Sequence, residues 1–158
     1  MSINSKSVQG RRELRFTSLD EVVADAEMLV SSPNMRTLGN WPSERLLTHL
    51  ALAINSSIDG HSLRAPWFIR LIGMFMKKRS LTQKMSPGLK LPKKVATGFF
   101  PAAASPHEAS KRLRAAVART KTERMTAKHP VLGKLTHDEW TQLHLRHSEL
   151  HLSFVVPF

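Results

Sequence analysis

The sequence predicts an all-α fold: a four-helix bundle with a short extra helix and a long ordered loop between the second and third main helices. Three observations lead there. Apolar residues recur at helical spacing in four long stretches. Three of those stretches open with a Ser/Thr-x-x-Glu signal, in which cap hydroxyl and third-position carboxylate satisfy free amides reciprocally. No strand-like alternation of useful length, and no internal repeat, interrupts them. A chain of 158 residues suits one domain and buries roughly two-thirds of its unfolded surface. Residues 11–158 are assigned to that domain. Residues 1–10, polar and without apolar period, are assigned to a mobile lead-in.

The first helix starts at Ser18, with Glu21 three residues on, and turns Leu19, Val22, Val23, Ala26, Leu29 and Val30 inward. Ser31 to Asn40 connects, broken by Pro33 and Gly39. Pro42 stands at or near the first position of the second helix, where its missing amide costs nothing. That helix runs to about Ser57 or Asp59, faces Leu46, His49, Leu50, Ala53, Ile54 and Ser57 to the core, and ends at Gly60. Pro66 to Arg79 forms the short extra helix. Its apolar face, Trp67, Phe68, Leu71, Ile72 and Phe75, is expected to pack on the core, with Lys77, Lys78 and Arg79 complementing the dipole in the last turn. An interfacial membrane helix is the minor alternative. Ser80 to Ala104 holds Pro87, Gly88, Pro92, Gly98 and Pro101 and keeps no period, so it reads as an ordered cover pinned by Phe99 and Phe100. Ser105, Pro106 and Glu108 open the next helix, which buries Leu113, Ala116, Val117 and Thr120. After a turn at His129, Pro130 and Gly133, Thr136 and Glu139 cap the last one.

The last stretch, Thr136 to Phe154, carries the chemistry. His147 and His151 stand four residues apart on one helix face that is otherwise apolar, through Trp140, Leu143, Leu150 and Phe154. Lone imidazoles in such surroundings are costly and need a partner. With His49 from the second helix they make a three-histidine set that leaves positions open for water or substrate; neutral imidazole suits Zn, Ni, Fe or Cu. Spacing alone leaves internal hydrogen bonds as the other solution. His144 lies on or beside the same face and is a candidate base or orienting residue. Glu149, two positions from each histidine, points away from them, so no catalytic acid or base is assigned. His61, His107, His129 and His137 fall at helix ends or turns.

Lys and Arg number 24 against 12 Asp and Glu, a net charge of +12. No acidic residue lies between Asp59 and Glu108, while nine cations fall there, from Arg64 to Lys94. Such a field favours a small anionic substrate, nucleic acid or another polyanion, or anionic lipid, or is simply a solvated surface. No recognition motif for nucleic acid accompanies it, which makes that partner the weaker expectation. Without cysteine there is no thiolate ligand or nucleophile, which fits a reducing compartment. Ala65 to Met76, the most apolar run, is too short to span a bilayer and is broken by Arg70. No apolar run follows the first arginines as in a signal peptide, so a cytoplasmic location is expected and a membrane partner is not.

The order Trp41, His49, then His147 and His151 on a terminal helix resembles the DinB/YfiT-like superfamily, four-helix bundles that hold a divalent metal. The details are similar to an uncharacterised bacterial branch of it: Arg12, Leu14 and Phe16 as RxLxF, Gly39 to Trp41 as GNW, Leu89 to Lys93 as LKLPK, His129 to Thr136 as HPxxGKLT, and His144 to Phe154 as HLxxHxxxHLSF. The resemblance covers nearly all the chain from Arg11. It implies His49, His147 and His151 as ligands of a divalent metal and a homodimer, within a superfamily that includes thiol-cofactor S-transferases and isomerases. The expected function is a metal-dependent enzyme of the hydrolase or thiol-cofactor S-transferase type, with a transition metal, Zn or Ni first, and an exogenous low-molecular-weight thiol. The superfamily often continues past its last histidine with an Arg-Gly-Gln-like segment, and here Leu152, Ser153 and Phe154 follow instead. A non-catalytic basic binding module, or a metal or ligand sensor, is the alternative function.

Overall fold

The computed structural model describes residues 3–62, 65–88 and 105–157. Among them are five helices, α1 (Leu19–Ser31), α2 (Ser43–Asp59), α3 (Trp67–Thr82), α4 (Pro106–Thr122) and α5 (His137–Leu152). Four two-residue strands, β1 (Arg36–Thr37), β2 (Lys128–His129), β3 (Gly133–Lys134) and β4 (Val155–Val156), make two antiparallel ribbons, β1 with β4 and β2 with β3. The protein is therefore mostly helical, and all-α only approximately. Strands of two residues carry no alternation for a sequence to display.

Local chemistry sets the helix starts. Thr136 accepts from the Glu139 amide while the Glu139 carboxylate accepts from the Thr136 amide, a complete capping box. Ser18 and Ser105 cap α1 and α4 through the amides of Glu21 and Glu108. Only the return bond differs: Glu21 reaches one residue further back, to Thr17, and Glu108 turns to Arg112. Pro42 proves to be the cap of α2 and Ser43 its first residue. Gly60 closes α2 at φ 85°, a backbone that glycine adopts without penalty.

One core is shared by α1, α2, α4 and α5, with Phe16 and Val155. α2 packs mainly on α4 and also on α5, and α1 packs on both α4 and α5. α5 is buried on nearly every side, including Arg146, Ser148 and Glu149. A second, smaller core holds Leu81, Met125, Leu132, Leu135, Trp140 and Leu143.

The chain ahead of α1 is fastened to the end of α5. Arg12 forks onto Asp25 at 2.6 and 2.7 Å, donates to the Val155 carbonyl at 2.7 Å, and its amide donates to Ser153. Four residues on, the buried Phe16 closes a network with α5. Its amide donates to Glu149 Oε1 at 2.8 Å, its carbonyl accepts from Arg146 Nη2 at 2.8 Å, and those two side chains pair at 2.8 Å. Further toward the terminus, Ile3 exchanges hydrogen bonds with Asn40.

α3 departs from expectation. It extends to Thr82, past Arg79, and its apolar side does not enter the core: Trp67, Phe68, Ile69, Leu71, Ile72, Met74, Phe75 and Met76 are all exposed. Only Gly73 and Leu81 are buried. Gly73 fits because it has no side chain; a Cβ there would come within 2.4 Å of the Val131 carbonyl oxygen. Full burial of an aromatic or aliphatic side chain is worth about 1.5–3 kcal/mol, a gain this helix leaves largely unrealised. The basic cover assigned to Ser80–Ala104 resolves differently at its start, where Ser80 to Thr82 belong to α3; its part from 89 to 104, with the LKLPK run, Phe99 and Phe100, lies outside the described residues. Among the described residues, no helix is long and apolar enough to cross a membrane.

Candidate metal centre

The i to i+4 spacing sets His147 and His151 on one face of α5, and His49 meets them from α2. His147 Nε2 lies 3.1 Å from His49 Nε2 and 3.0 Å from His151 Nε2. All three residues offer a ring nitrogen within 4.8 Å of the others. The rings stand edge-on to one another, their planes inclined at 80°, 74° and 77°. A neutral imidazole nitrogen carries either one hydrogen or one lone pair, so at most one of the two contacts at His147 Nε2 is a linear hydrogen bond. A cation satisfies all three lone pairs at once. Bonds of about 2.0–2.1 Å to one ion place its nitrogen ligands about 2.8–3.4 Å apart, as the angle at the ion opens from a right angle to tetrahedral. The donor set and its spacing could hold a metal ion.

Electrostatics favour the same use. His49 is buried, and His147 and His151 are half-buried. Desolvation, then the neighbouring His49 and the positive Arg11, bring His151 down to a pKa of about 3. Burial and the other imidazoles push His147 well below its ordinary value. Both are neutral at pH 7, the form that ligates metal.

The walls come from distant parts of the chain. Trp41 stacks on His151 at 5.6 Å, within 10° of parallel, and meets His49 edge-on at 5.8 Å. Pairing of β1 with β4, continued by the Leu38 amide on the Phe154 carbonyl at 2.8 Å, carries that tryptophan to the end of α5. The Arg45 guanidinium lies 5.3 Å from the Trp41 ring. Arg11 covers the Phe154 ring at 4.1 Å and donates to Ser153 Oγ at 2.6 Å. Arg11 and Arg45 escape a sequence reading based on histidine spacing. The aromatic residues these guanidinium groups lie against, Phe154 and Trp41, were the available signal.

His144 points elsewhere. Its Nε2 lies 3.1 Å from Ser57 Oγ, which itself donates to the Ile54 carbonyl, so His144 donates and carries its proton on Nε2. The ring stacks on Trp140 at 5.3 Å. Burial, then His129, lowers its pKa to about 3. His129 is more than a turn residue: its Nδ1 accepts from the amides of Val131 and Leu132 at 3.1 and 2.9 Å, and burial, then His61, lowers its pKa to about 4. His137 Nδ1 accepts from the Met125 amide. Glu149 faces away from the three histidines, toward Phe16 and Arg146, but into the interior rather than solvent.

A pH dependence of folding follows from His129 and His144. Their folded pKa values lie below the ordinary 6.5, so between about pH 6.5 and 3–4 the unfolded chain binds more protons. Stability is retained above pH 6.5 and falls as pH drops through that window, by about 2 kcal/mol for each histidine at pH 5. Urea unfolding at pH 7.5 and 5, with His129→Gln for comparison, measures it. An unchanged midpoint in the native chain contradicts the burial of these rings.

Fold and site together define a mostly helical protein with a three-histidine cluster able to hold a metal ion. The chain belongs to a family described as a protein of unknown function (DUF1569), whose model matches residues 8–158. No curated protein and no solved structure matches it.

Proposed function

We propose that this chain is a metal-dependent enzyme with the four-helix-bundle architecture of the DinB/YfiT-like superfamily, formed by α1, α2, α4 and α5. The observation that carries the reading is the meeting of His49, His147 and His151 across two helices, with nitrogen spacings a single ion satisfies. A divalent ion such as Zn or Ni supplies a Lewis acid there, which brings a water or thiol nucleophile into its reactive form near neutral pH. The chain's own residues do the rest. His147 and His151 stay neutral through burial, and Trp41 fixes the His151 ring by stacking. Arg11 and Arg45 border the cluster and favour a small anionic substrate, such as a carboxylate or a thiol that bears one. Hydrolysis and transfer to a low-molecular-weight thiol are the reaction classes this supports.

The test is turnover by protein loaded with Zn or Ni on two panels, carboxylate-bearing esters and amides for hydrolysis, and electrophiles offered with glutathione for transfer. The reading predicts turnover in one panel that vanishes on chelation and in His151→Ala. Silence of fully loaded protein in both panels moves the conclusion to a metal sensor.

A further inference from the structure

Of the ten large apolar residues exposed among the described residues, eight lie on α3. At about 3.6 residues per turn, Phe68, Leu71 and Phe75 lie opposite Gly73, where the helix packs against Val131 too closely for a side chain. Trp67, Ile72 and Met74 flank them. Trp67 is 75% exposed and Phe75 84%, so nothing among the described residues covers this face. Lys78 and Arg79 continue this outward face by one turn, and both are exposed. The opposite side is held to the body: Lys77 pairs with Glu139 at 2.7 Å, and Leu81 enters the second core. The body thus grips α3 along a narrow strip and presents an aromatic stretch that runs into a cationic turn.

We infer that α3 is an interfacial helix that docks the protein on an anionic lipid surface. Aromatic and aliphatic side chains sink into the boundary between headgroups and acyl chains, while Lys78 and Arg79 meet the phosphates. Charge selects this occupant. From Gly60 to His107 the sequence has nine cations and no carboxylate. A second copy docking through its own α3 would bring Arg70, Lys78 and Arg79 against the same residues and no acid from that helix to balance them, whereas an anionic bilayer supplies both an apolar layer and the opposite charge. The helix has 16 residues and is not a span, which leaves it lying along the surface. This inference stands apart from the metal centre and survives its failure.

The test uses the full chain with vesicles of phosphatidylglycerol mixed with phosphatidylcholine, against phosphatidylcholine alone. The protein should sediment with the anionic vesicles only and be released by salt. Tryptophan emission should shift to the blue and be quenched by brominated acyl chains, and both signals should vanish in Trp67→Phe while sedimentation persists. Leu71→Ser with Phe75→Ser should weaken partitioning by at least about tenfold, and Lys78→Glu with Arg79→Glu should abolish the preference for anionic lipid. These side chains are exposed, so circular dichroism should be unchanged. Failure to sediment overturns the inference. So does a blue shift that grows with protein concentration without lipid, which assigns the face to a second copy. Shielding of Trp67 from acrylamide in the monomer overturns it too, since the chain then covers α3 itself.

Discussion

Glu149→Ala should cost about 3–5 kcal/mol of folding stability, the penalty for leaving a buried charge without its counter-charge. Arg146 is 1% exposed, so its guanidinium cannot turn to water when Glu149 is removed. The same truncation takes the acceptor from the Phe16 amide. Burial already pushes the Glu149 carboxyl above its usual range, against the pull of the Phe16 amide and Arg15, as expected of a group held in place by partners rather than by solvent. Converted at about 2–4 °C for each kcal/mol, the midpoint falls by about 10 °C. Arg146→Met combined with Glu149→Leu removes both charges and should be more stable than Glu149→Ala alone, although Phe16 then lacks two polar partners. Thermal and urea unfolding of the three proteins decide it. A loss below about 1 kcal/mol for Glu149→Ala would mean that the pair is solvated.

His147→Ala should lower affinity for Zn or Ni by at least about 100-fold, since even partners outside the coordination shell cost about 10–100-fold. His147 is the nitrogen common to both short contacts, and without it His49 and His151 face each other from separate helices. The consequence is visible in stability. Metal at about 100 times its dissociation constant adds about 2.7 kcal/mol to the native chain, and the variant should gain almost nothing. Thermal shift with and without Zn reads the difference. Equal shifts in both proteins would place binding elsewhere.

Much of this was legible in the residues. Ser18, Ser105 and Thr136 announced three helix starts because caps act over three residues, within reach of a local pattern. His49, His147 and His151 were legible because a helical face is periodic and an imidazole on it needs a partner. What stayed hidden depended on chain segments far apart. Glu149 was placed on the correct side of α5, away from the three histidines, but its engagement by Phe16 comes from over a hundred residues earlier. The engagement of His144 with Ser57, and the stacking of Trp41 on His151 by way of β1 and β4, are likewise long-range. α3 failed for another reason. Its apolar pattern correctly gave a helix, but a pattern records that a face avoids water and not what covers it.

The most direct measurement is elemental analysis of protein purified without an affinity tag and exposed in turn to Zn, Ni, Fe and Cu, the native chain beside His147→Ala. The account predicts close to one equivalent of a transition metal in the native chain and none retained by the variant. Absence of stoichiometric metal in the native chain, whichever ion is offered, would contradict it and leave the three histidines as a hydrogen-bonded cluster.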